Sequence, residues 1–335
     1  MRVLHVIRSD GFAGVERHVA TLAGGQAASG HDVAVVGGDP RRMRGALAQT
    51  TVRLESAATL PETVGRVRRY ARGAEVVHAH MTAAEFAASI ASLGTPMVVT
   101  RHFARPRGST APGRLAGRFI SRRIAAQIAI SHYVAGAVGE RSTVVHSGVP
   151  DQPRSSEARN STILVAQRLQ PEKETEVALR AFAHSLPPGW RLQIAGEGGE
   201  AERLRTLAID LGVADSVDFL GQRADVNDLM RRAGVFLSPC RVEGLGMAVL
   251  EAMSHGLPVV ASDSGAHPET VGLSSRSSLF APGDWRQAGD LLSQLCLDEE
   301  ERVSYGAELQ TIQRSTFSID SQVAQTDRVY QEVLR

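Results

Sequence analysis

The sequence predicts an α/β protein built as two parallel-sheet domains facing across a central cleft. Three observations carry this reading. The chain has 335 residues, beyond the usual range of one domain. Short apolar runs alternate with helix-length amphipathic stretches almost from end to end. A polar, Pro- and Ser-rich break at Gly148–Ser161 (GVPDQPRSSEARNS) interrupts the alternation, which then restarts.

In the first half the strand candidates are Val3–Ile7, Asp32–Val36, Glu75–Ala79, Met97–Thr100, Ala126–Ile130 and Thr143–His146. Several are continuous Val/Ile/Ala runs, as parallel strands covered on both faces require. Helices between them include Val15–Ser29, stopped by Gly30, and Ala83–Ser92, stopped near Gly94. Beyond the break, the strand candidates are Thr162–Ala166, Leu192–Ala195, Val217–Leu220, Val235–Leu237, Pro258–Ala261 and Ser278–Phe280. Their helices include Glu174–Ala183, Ala201–Leu211, Met247–His255 and Gln287–Leu297, and the tail from Glu299 to Arg335 reads as helix alone. Two Rossmann-like repeats follow, a first domain over 1–150 and a second over 151–315.

Composition narrows the function classes. With 43% hydrophobic and 22% charged residues, the chain has the make-up of a soluble globular protein with material for two cores. A formal charge of +1 argues against bulk attraction to nucleic acid. Two cysteines, Cys240 and Cys296, make no disulfide framework, and no Cys-x-x-Cys exists for zinc. The opening MRVLHVIRSDG lacks the long apolar core of a signal peptide, and no apolar run approaches the ~20 residues of a membrane span. The expected location is cytoplasmic, with peripheral docking at the inner membrane face left open. Arginine occurs 36 times and lysine once, at Lys173, so a compact ammonium stands alone among planar guanidinium groups.

Ligands of open parallel sheets bind beyond the carboxyl ends of the strands, and the unusual polar residues fall there. Ser9–Glu16 follows the first strand; the segment DGFAGVERH carries Gly11 and Gly14 into a helix start. That turn fits a phosphate loop, and it fits equally a tight βα turn with no ligand. Asp39, ending the second strand, keeps a nicotinamide-cofactor reading open, although Ser9 stands where a dinucleotide fingerprint wants its first glycine. In the second half, Arg168 and Lys173 share the loop AQRLQPEKE, where two cations suit a diphosphate bound without a metal. Gly196–Gly199, including Gly198, follows the next strand.

The stretch SPCRVEGLGMAVLEAMSHGLPVVASDSGAHPE is the strongest signal. A helix starting near Gly246 leaves Glu243 on the loop before it and Glu251 more than a turn inside. The two carboxylates then suit different parts of one extended ligand, sugar hydroxyls for Glu243 and ribose hydroxyls for Glu251. Gly244 and Gly246 permit close backbone approach, with free N–H groups for phosphate. The plainer alternative makes them a helix-start and a helix-surface charge. His78 and His80 alternate on one strand, with His102 after another; no nearby carboxylate supports zinc. His80 reads as a donor to a sugar hydroxyl and His78 as a packed core residue. No acidic residue occurs from Phe86 to Gly139, while Arg101, Arg105, Arg107, Arg114, Arg118, Arg122 and Arg123 accumulate. This is either a contact for anionic headgroups or a phosphorylated acceptor, or a solvated arginine face.

On these residues the chain resembles the retaining GT-B glycosyltransferases of the large family four group. The resemblance runs through AGVE, HAH, TRH, HSGVP, ILVAQRLQPEKE, IAGEGGEAERL, VDFLGQRADV and the Glu-seven-Glu stretch. It implies a nucleotide-diphospho-sugar donor, a UDP-sugar favoured and GDP-mannose an alternative, held by the second domain, with an unidentified glycan, lipid-linked or small-molecule acceptor on the first. It implies front-face retention with no covalent intermediate and no cofactor. By carry-over, Gly14 and Gly198 belong to the donor site, His80 contacts the transferred sugar, and Arg168 with Lys173 grips the diphosphate. Glu243 with Gly244, Leu245, Gly246 and Met247 holds sugar and phosphate, Glu251 takes the ribose, and the Gly221–Arg223 loop, Arg223 included, meets the base. Glu16, Arg101 and His102 fall on the acceptor side. The closing segment 316–335 is expected to cross back to the first domain. Two departures stand out: Ala13–Gly14 replaces a frequent glycine pair, and Gly199 stands where proline is common. The absence of any Asp-x-Asp fits metal-free transfer. Rival readings are a UDP-sugar epimerase-like enzyme, an NAD-dependent oxidoreductase and a non-catalytic partner subunit.

Overall fold

The computed structural model describes residues 1–9, 11–107, 117–153 and 158–335. Asp10 of the first glycine turn, Arg114 of the arginine run and the middle of the polar break at 154–157 lie outside the described residues. The chain forms two compact units, one of residues 1–148 with 319–335 and one of residues 149–318.

The first unit holds a parallel sheet of seven strands: β1 (Arg2–Ile7), β2 (Asp32–Val36), β3 (Arg53–Glu55), β4 (Val76–His80), β5 (Met97–Arg101), β6 (Ile124–Ala129) and β7 (Thr143–Val144). Their spatial order is β3-β2-β1-β4-β5-β6-β7. Alternate side chains of each strand point to opposite faces, and each face has its own core. Leu4, Val6, Val77, Ala79 and Val99 pack with Val67 of the helix Leu60–Ala71 and with Ala84 and Ala88 of the helix Thr82–Ala91. On the opposite face, Ile7, Val33 and Val35 meet Val15, Val19 and Ala23 of the helix Gly14–Ala28. Val3, Val76 and Val98 meet Val329 and Tyr330 of the helix Ile319–Leu334 on that same face. These two helices touch at Gly25, where an added Cβ would lie 2.5 Å from a methyl carbon of Ile319.

The second unit is a parallel sheet of six strands: β8 (Thr162–Ala166), β9 (Arg191–Ala195), β10 (Val217–Gly221), β11 (Val235–Ser238), β12 (Val259–Ser262) and β13 (Ser278–Phe280). The order is β10-β9-β8-β11-β12-β13. In both sheets the winding reverses once, between β1 and β4 and between β8 and β11. Such a switch point leaves a crevice beyond the strand ends, because neighbouring connections depart to opposite faces.

Strand β3 is a departure from the sequence reading, which has no strand there. Three residues at a sheet edge, two of them charged, leave no apolar run to detect. Strand β6 spans Ile124–Ala129 rather than Ala126–Ile130, with a register irregularity against β5 at Met97–Val98. No helix among the described residues is long and apolar enough to cross a membrane.

Candidate functional site

The switch point of the second unit gathers the lone lysine and the loop carboxylate. Strand β8 leads into the loop bearing Lys173, and its neighbour β11 leads into the loop bearing Glu243. The Lys173 ammonium donates to Glu243 Oε2 at 2.6 Å, with side-chain exposures of 17% and 22%. Burial alone would push this ammonium down, but Glu243 and the Cys240 sulfur beside it hold it above the ordinary lysine range. Burial, with the Glu243 charge adding to it, pushes the Cys240 thiol up to about 11, so it stands there as a neutral thiol.

Both partners are held by their backbones. Gln167 donates its side-chain amide to the Lys173 carbonyl at 2.9 Å and to Thr175 Oγ1 at 2.9 Å. Leu169 is clamped by Glu197 and Glu200, its N–H donating to the Glu197 carbonyl and its carbonyl accepting from Glu200 N–H. That approach needs glycine at 198, since a Cβ there would lie 2.0 Å from the Leu169 oxygen. Gly198 thus shapes the lysine loop. Glu243 is fixed from another side: its carbonyl accepts from Ala266 N–H at 3.0 Å. Gly265, at φ +59°, passes so close that a Cβ would sit 2.6 Å from the Glu243 oxygen and 2.7 Å from its nitrogen. Beneath, the buried His267 donates from Nδ1 to the Ser262 carbonyl at 2.9 Å, leaving Nε2 to accept from the Ser238 hydroxyl at 3.2 Å.

Helix Met247–Ser254 begins at Gly246, whose φ of +85° turns the chain from the Glu243 loop into the helix. Gly244 and Met247 are half-buried beside it, and Leu245 is buried under the turn. Glu251 lies one turn along and is half-buried. The other two cations stand apart. Arg168 is 68% exposed and pairs weakly with Glu172 at 3.4 Å. Arg223 is exposed and forms a two-pronged pair with Asp225. Neither joins the Lys173–Glu243 pair in this structure.

In the first unit, Gly14 opens the helix Gly14–Ala28, and Glu16 is buried, accepting from Ala13 N–H at 2.7 Å as a helix-start carboxylate. His80 and His102 lie in a buried group with His5, His18 and His78. Parallel register makes the group: His5 lies opposite His78, and His80 opposite Thr100, two residues before His102. His78 is fully buried between Tyr330 Oη at 2.6 Å and Thr100 Oγ1 at 2.7 Å. His80 contacts His5 through Nε2 at 3.1 Å and His102 through Nδ1 at 3.2 Å, so donation to a sugar requires one of these partners to move.

The arginine run divides. Arg107 is buried in an ion-pair network with Glu85 at 2.6 Å and with Glu140, and donates to Gln127 at 2.6 Å. Arg101 is also buried; one Nη donates to the Arg105 carbonyl and the other has no partner among the described residues. Burial, reinforced by Arg107, lowers its pKa. Arg123 is tied to the Ser92 and Leu93 carbonyls. Only Arg105, Arg118 and Arg122 of the described members are exposed. The described part of the run thus combines three exposed arginines with a buried ion-pair network.

His5, His18, Gln26, Gly265 and His267 escape the sequence reading. His5 and His18 sit inside apolar stretches, and the one available signal is parity, since His5 falls on the strand face of Val3 and Ile7.

Comparisons with known proteins agree with this architecture. The family described as Glycosyl transferases group 1 matches residues 151–310, and Glycosyltransferase Family 4 matches residues 12–152. An exopolysaccharide phosphotransferase of Streptomyces coelicolor is 34% identical over 206 residues, 59% of this chain and 22% of that one. A GDP-mannose-dependent alpha-(1-6)-phosphatidylinositol monomannoside mannosyltransferase of Mycobacterium tuberculosis is 35% identical over 158 residues, 44% of this chain and 41% of that one. The matches thus span less than half the length of these two relatives. Anabaena HepE, solved in complex with UDP, superposes with a TM-score of 0.83 at 21% identity, covering 99% of this chain and 100% of that chain. Sucrose-phosphate synthase of Thermosynechococcus elongatus superposes with a TM-score of 0.81 at 17% identity, covering 99% of each. Two family descriptions that together run from residue 12 to residue 310, on two parallel sheets with matching switch points, place the chain among the family four glycosyltransferases of GT-B fold.

Proposed function

We propose that this chain transfers a hexose from a nucleotide-diphospho-sugar to a hydroxyl acceptor, with retention of anomeric configuration and without a metal ion. The observation that carries the reading is the Lys173–Glu243 pair at the β8/β11 switch point, flanked by the start of the helix Met247–Ser254. An ammonium has three N–H donors. Glu243 takes one, and a diphosphate oxygen beyond it gains a charge-assisted contact. The same contact stabilises the leaving nucleotide as its bond to the sugar breaks, and Glu243 then faces the sugar hydroxyls. Helix-start N–H groups add to the phosphate field. Glu251 is assigned to the ribose and the Arg223 loop to the base, with Arg168 swinging from Glu172 to the diphosphate.

A UDP-sugar is the favoured donor, and the UDP complex of the structural neighbour HepE is consistent with it; the GDP-mannose-dependent relative keeps GDP-mannose as the alternative. The acceptor is assigned to the first unit, where the Nη of Arg101 that has no partner among the described residues suits an anionic group. Peripheral membrane contact rests on Arg118, Arg122 and the 44%-exposed Phe119 between them.

A thermal-shift screen with UDP, GDP, ADP and their sugars tests the reading. A nucleotide at about 100 times its Kd is expected to add ~2.7 kcal/mol of stability, a rise in Tm of roughly 5–10 °C. No shift with any of them sinks the assignment. Gly265→Ala supplies a second check. The left-handed backbone at 265 costs a side chain about 1–2 kcal/mol, and the new Cβ displaces Glu243. The expected outcome is a lower Tm together with donor binding weakened about tenfold, equivalent to ~1.4 kcal/mol. Unchanged binding in the folded variant shows that Glu243 does not hold the donor.

A further inference from the structure

A line of hydrogen-bonded rings crosses the buried face of the first sheet. Gln26, two turns beyond His18 on the helix Gly14–Ala28, places its Oε1 2.7 Å from His5 Nε2. His5 Nδ1 is 3.1 Å from His80 Nε2, and His80 Nδ1 is 3.2 Å from His102 Nε2. Among the described residues none of these rings is hydrogen-bonded to a carboxylate. Burial pushes His5 down to about 4 and His80 well below its usual range, and burial with the Arg101 charge pushes His102 down to about 3. The rings are therefore neutral at physiological pH.

A neutral imidazole has one N–H and one lone pair, so the contacts are coupled: choosing a donor at one end dictates every other. Gln26 faces His5 with its carbonyl oxygen, which can only accept, and leaves its own buried Nε2 without a partner among the described residues. His5 then carries its proton on Nε2, and its Nδ1 accepts from His80 Nε2–H. His80 Nδ1 in turn accepts from His102 Nε2–H. The last ring is left with a bare Nδ1.

The same histidines fall into two triplets with the spacing of metal ligands, His5–His78–His80 and His18–His80–His102. In the first triplet every ring nitrogen is already engaged by Gln26, Tyr330, Thr100 or another histidine. Among the described residues no carboxylate is hydrogen-bonded to His5, His78 or His80 to offset the charge of a buried dication. Hydrogen bonding explains the cluster at lower cost.

We propose that Gln26 and His5 are positioning residues that fix the tautomers of His80 and His102, so that His102 presents a hydrogen-bond acceptor at Nδ1 to the hydroxyl of the incoming acceptor. The role given to that hydroxyl rests on the transferase reading above; the tautomers do not. In this polarity His80 has both nitrogens inside the line, and its part is to pass orientation from His5 to His102.

Two-bond proton–nitrogen spectra of the full chain labelled with nitrogen-15 histidine test it. The expected wild-type pattern is protonated Nε2 and bare Nδ1 at His5, His80 and His102. Gln26→Met removes the carbonyl at similar volume, and the His102 signals are expected to move toward a mixture of both tautomers. Hydrolysis of UDP-glucose, or of GDP-mannose where the thermal screen selects it, uses water as the hydroxyl. Its kcat is expected to fall about five- to tenfold in that variant, the worth of one neutral hydrogen bond, with KM for the nucleotide sugar unchanged. A protonated Nδ1 on wild-type His102 overturns the proposal, whether or not the variant folds. So does a His102 tautomer indifferent to Gln26→Met. Because the spectra need no turnover, failure of this inference and failure of the transferase reading are separable.

Discussion

Lys173→Met is expected to lower kcat for sugar transfer or donor hydrolysis by about 10²–10³ while the protein remains folded. The reasoning is electrostatic. As the bond to the sugar breaks, negative charge gathers on the leaving diphosphate, and a fixed cation there is worth more than in water because the site is partly desolvated. Lys173 is that cation: 17% exposed, anchored to Glu243 at 2.6 Å and held charged by it. The folded state loses less, because Glu243 at 22% exposure retains access to water when its partner is removed. Lys173→Arg is not expected to rescue the rate. A planar guanidinium is larger than the ammonium it replaces, and the Cys240 sulfur, 3.5 Å from the Glu172 carbonyl, already lies beside the Lys173 ammonium and Glu243. Steady-state rates with the nucleotide sugar selected by thermal shift, alongside melting curves of both variants, decide the matter. A methionine variant that keeps more than about a tenth of the wild-type rate removes Lys173 from the chemistry.

How far the residues announce this arrangement differs from element to element. Parallel strands buried on both faces have to be largely apolar runs, so β1, β2, β4, β5, β8, β11 and β12 stand out as such in the sequence. Strand β3 has no such constraint. Its residues Arg53, Leu54 and Glu55 pair only with β2, at the sheet edge. The switch-point loops are legible for a related reason: polar and glycine residues that follow directly on apolar strands have few structural uses, and Lys173 and Glu243 both fall in such places. What stays illegible is anything set by a partner distant in sequence. Gly265 looks like one more turn glycine until the Glu243 backbone is seen to pass within 2.7 Å of its missing Cβ. His5 is an isolated polar residue in an apolar strand until the β1–β4 register sets it opposite His78 and the helix brings Gln26 to it. The arginine run misleads in the opposite direction. Counting charges from Phe86 to Gly139 shows no acid, whereas Arg107 finds its carboxylates just outside that window, at Glu85 and Glu140.

That network supports the largest expected loss of stability. Arg107→Met is expected to destabilise the first unit by about 3–5 kcal/mol, the cost of leaving a buried charge without its partner. Glu85 is 1% exposed and Arg107 has 3% side-chain exposure, so water cannot replace the guanidinium when it is removed. Gln127, buried beside them, loses its donor as well. Glu140 is half in solvent, at 38%, and loses little. The asymmetry between the two carboxylates yields a cycle that isolates the buried pair. Glu85→Gln in the Arg107→Met background removes the stranded charge, and it is expected to recover a large part of the loss. Glu140→Gln in the same background is expected to recover almost none, since an exposed carboxylate pays little for standing alone. Denaturant titrations of the three variants, with unchanged m-values as the sign that the unfolded state is not what moved, measure the cycle. Should Arg107→Met melt within about 0.5 kcal/mol of the wild type, the range of an ordinary surface substitution, then Arg107 is a surface cation after all, and the whole run returns to candidacy as a docking face for anionic lipid.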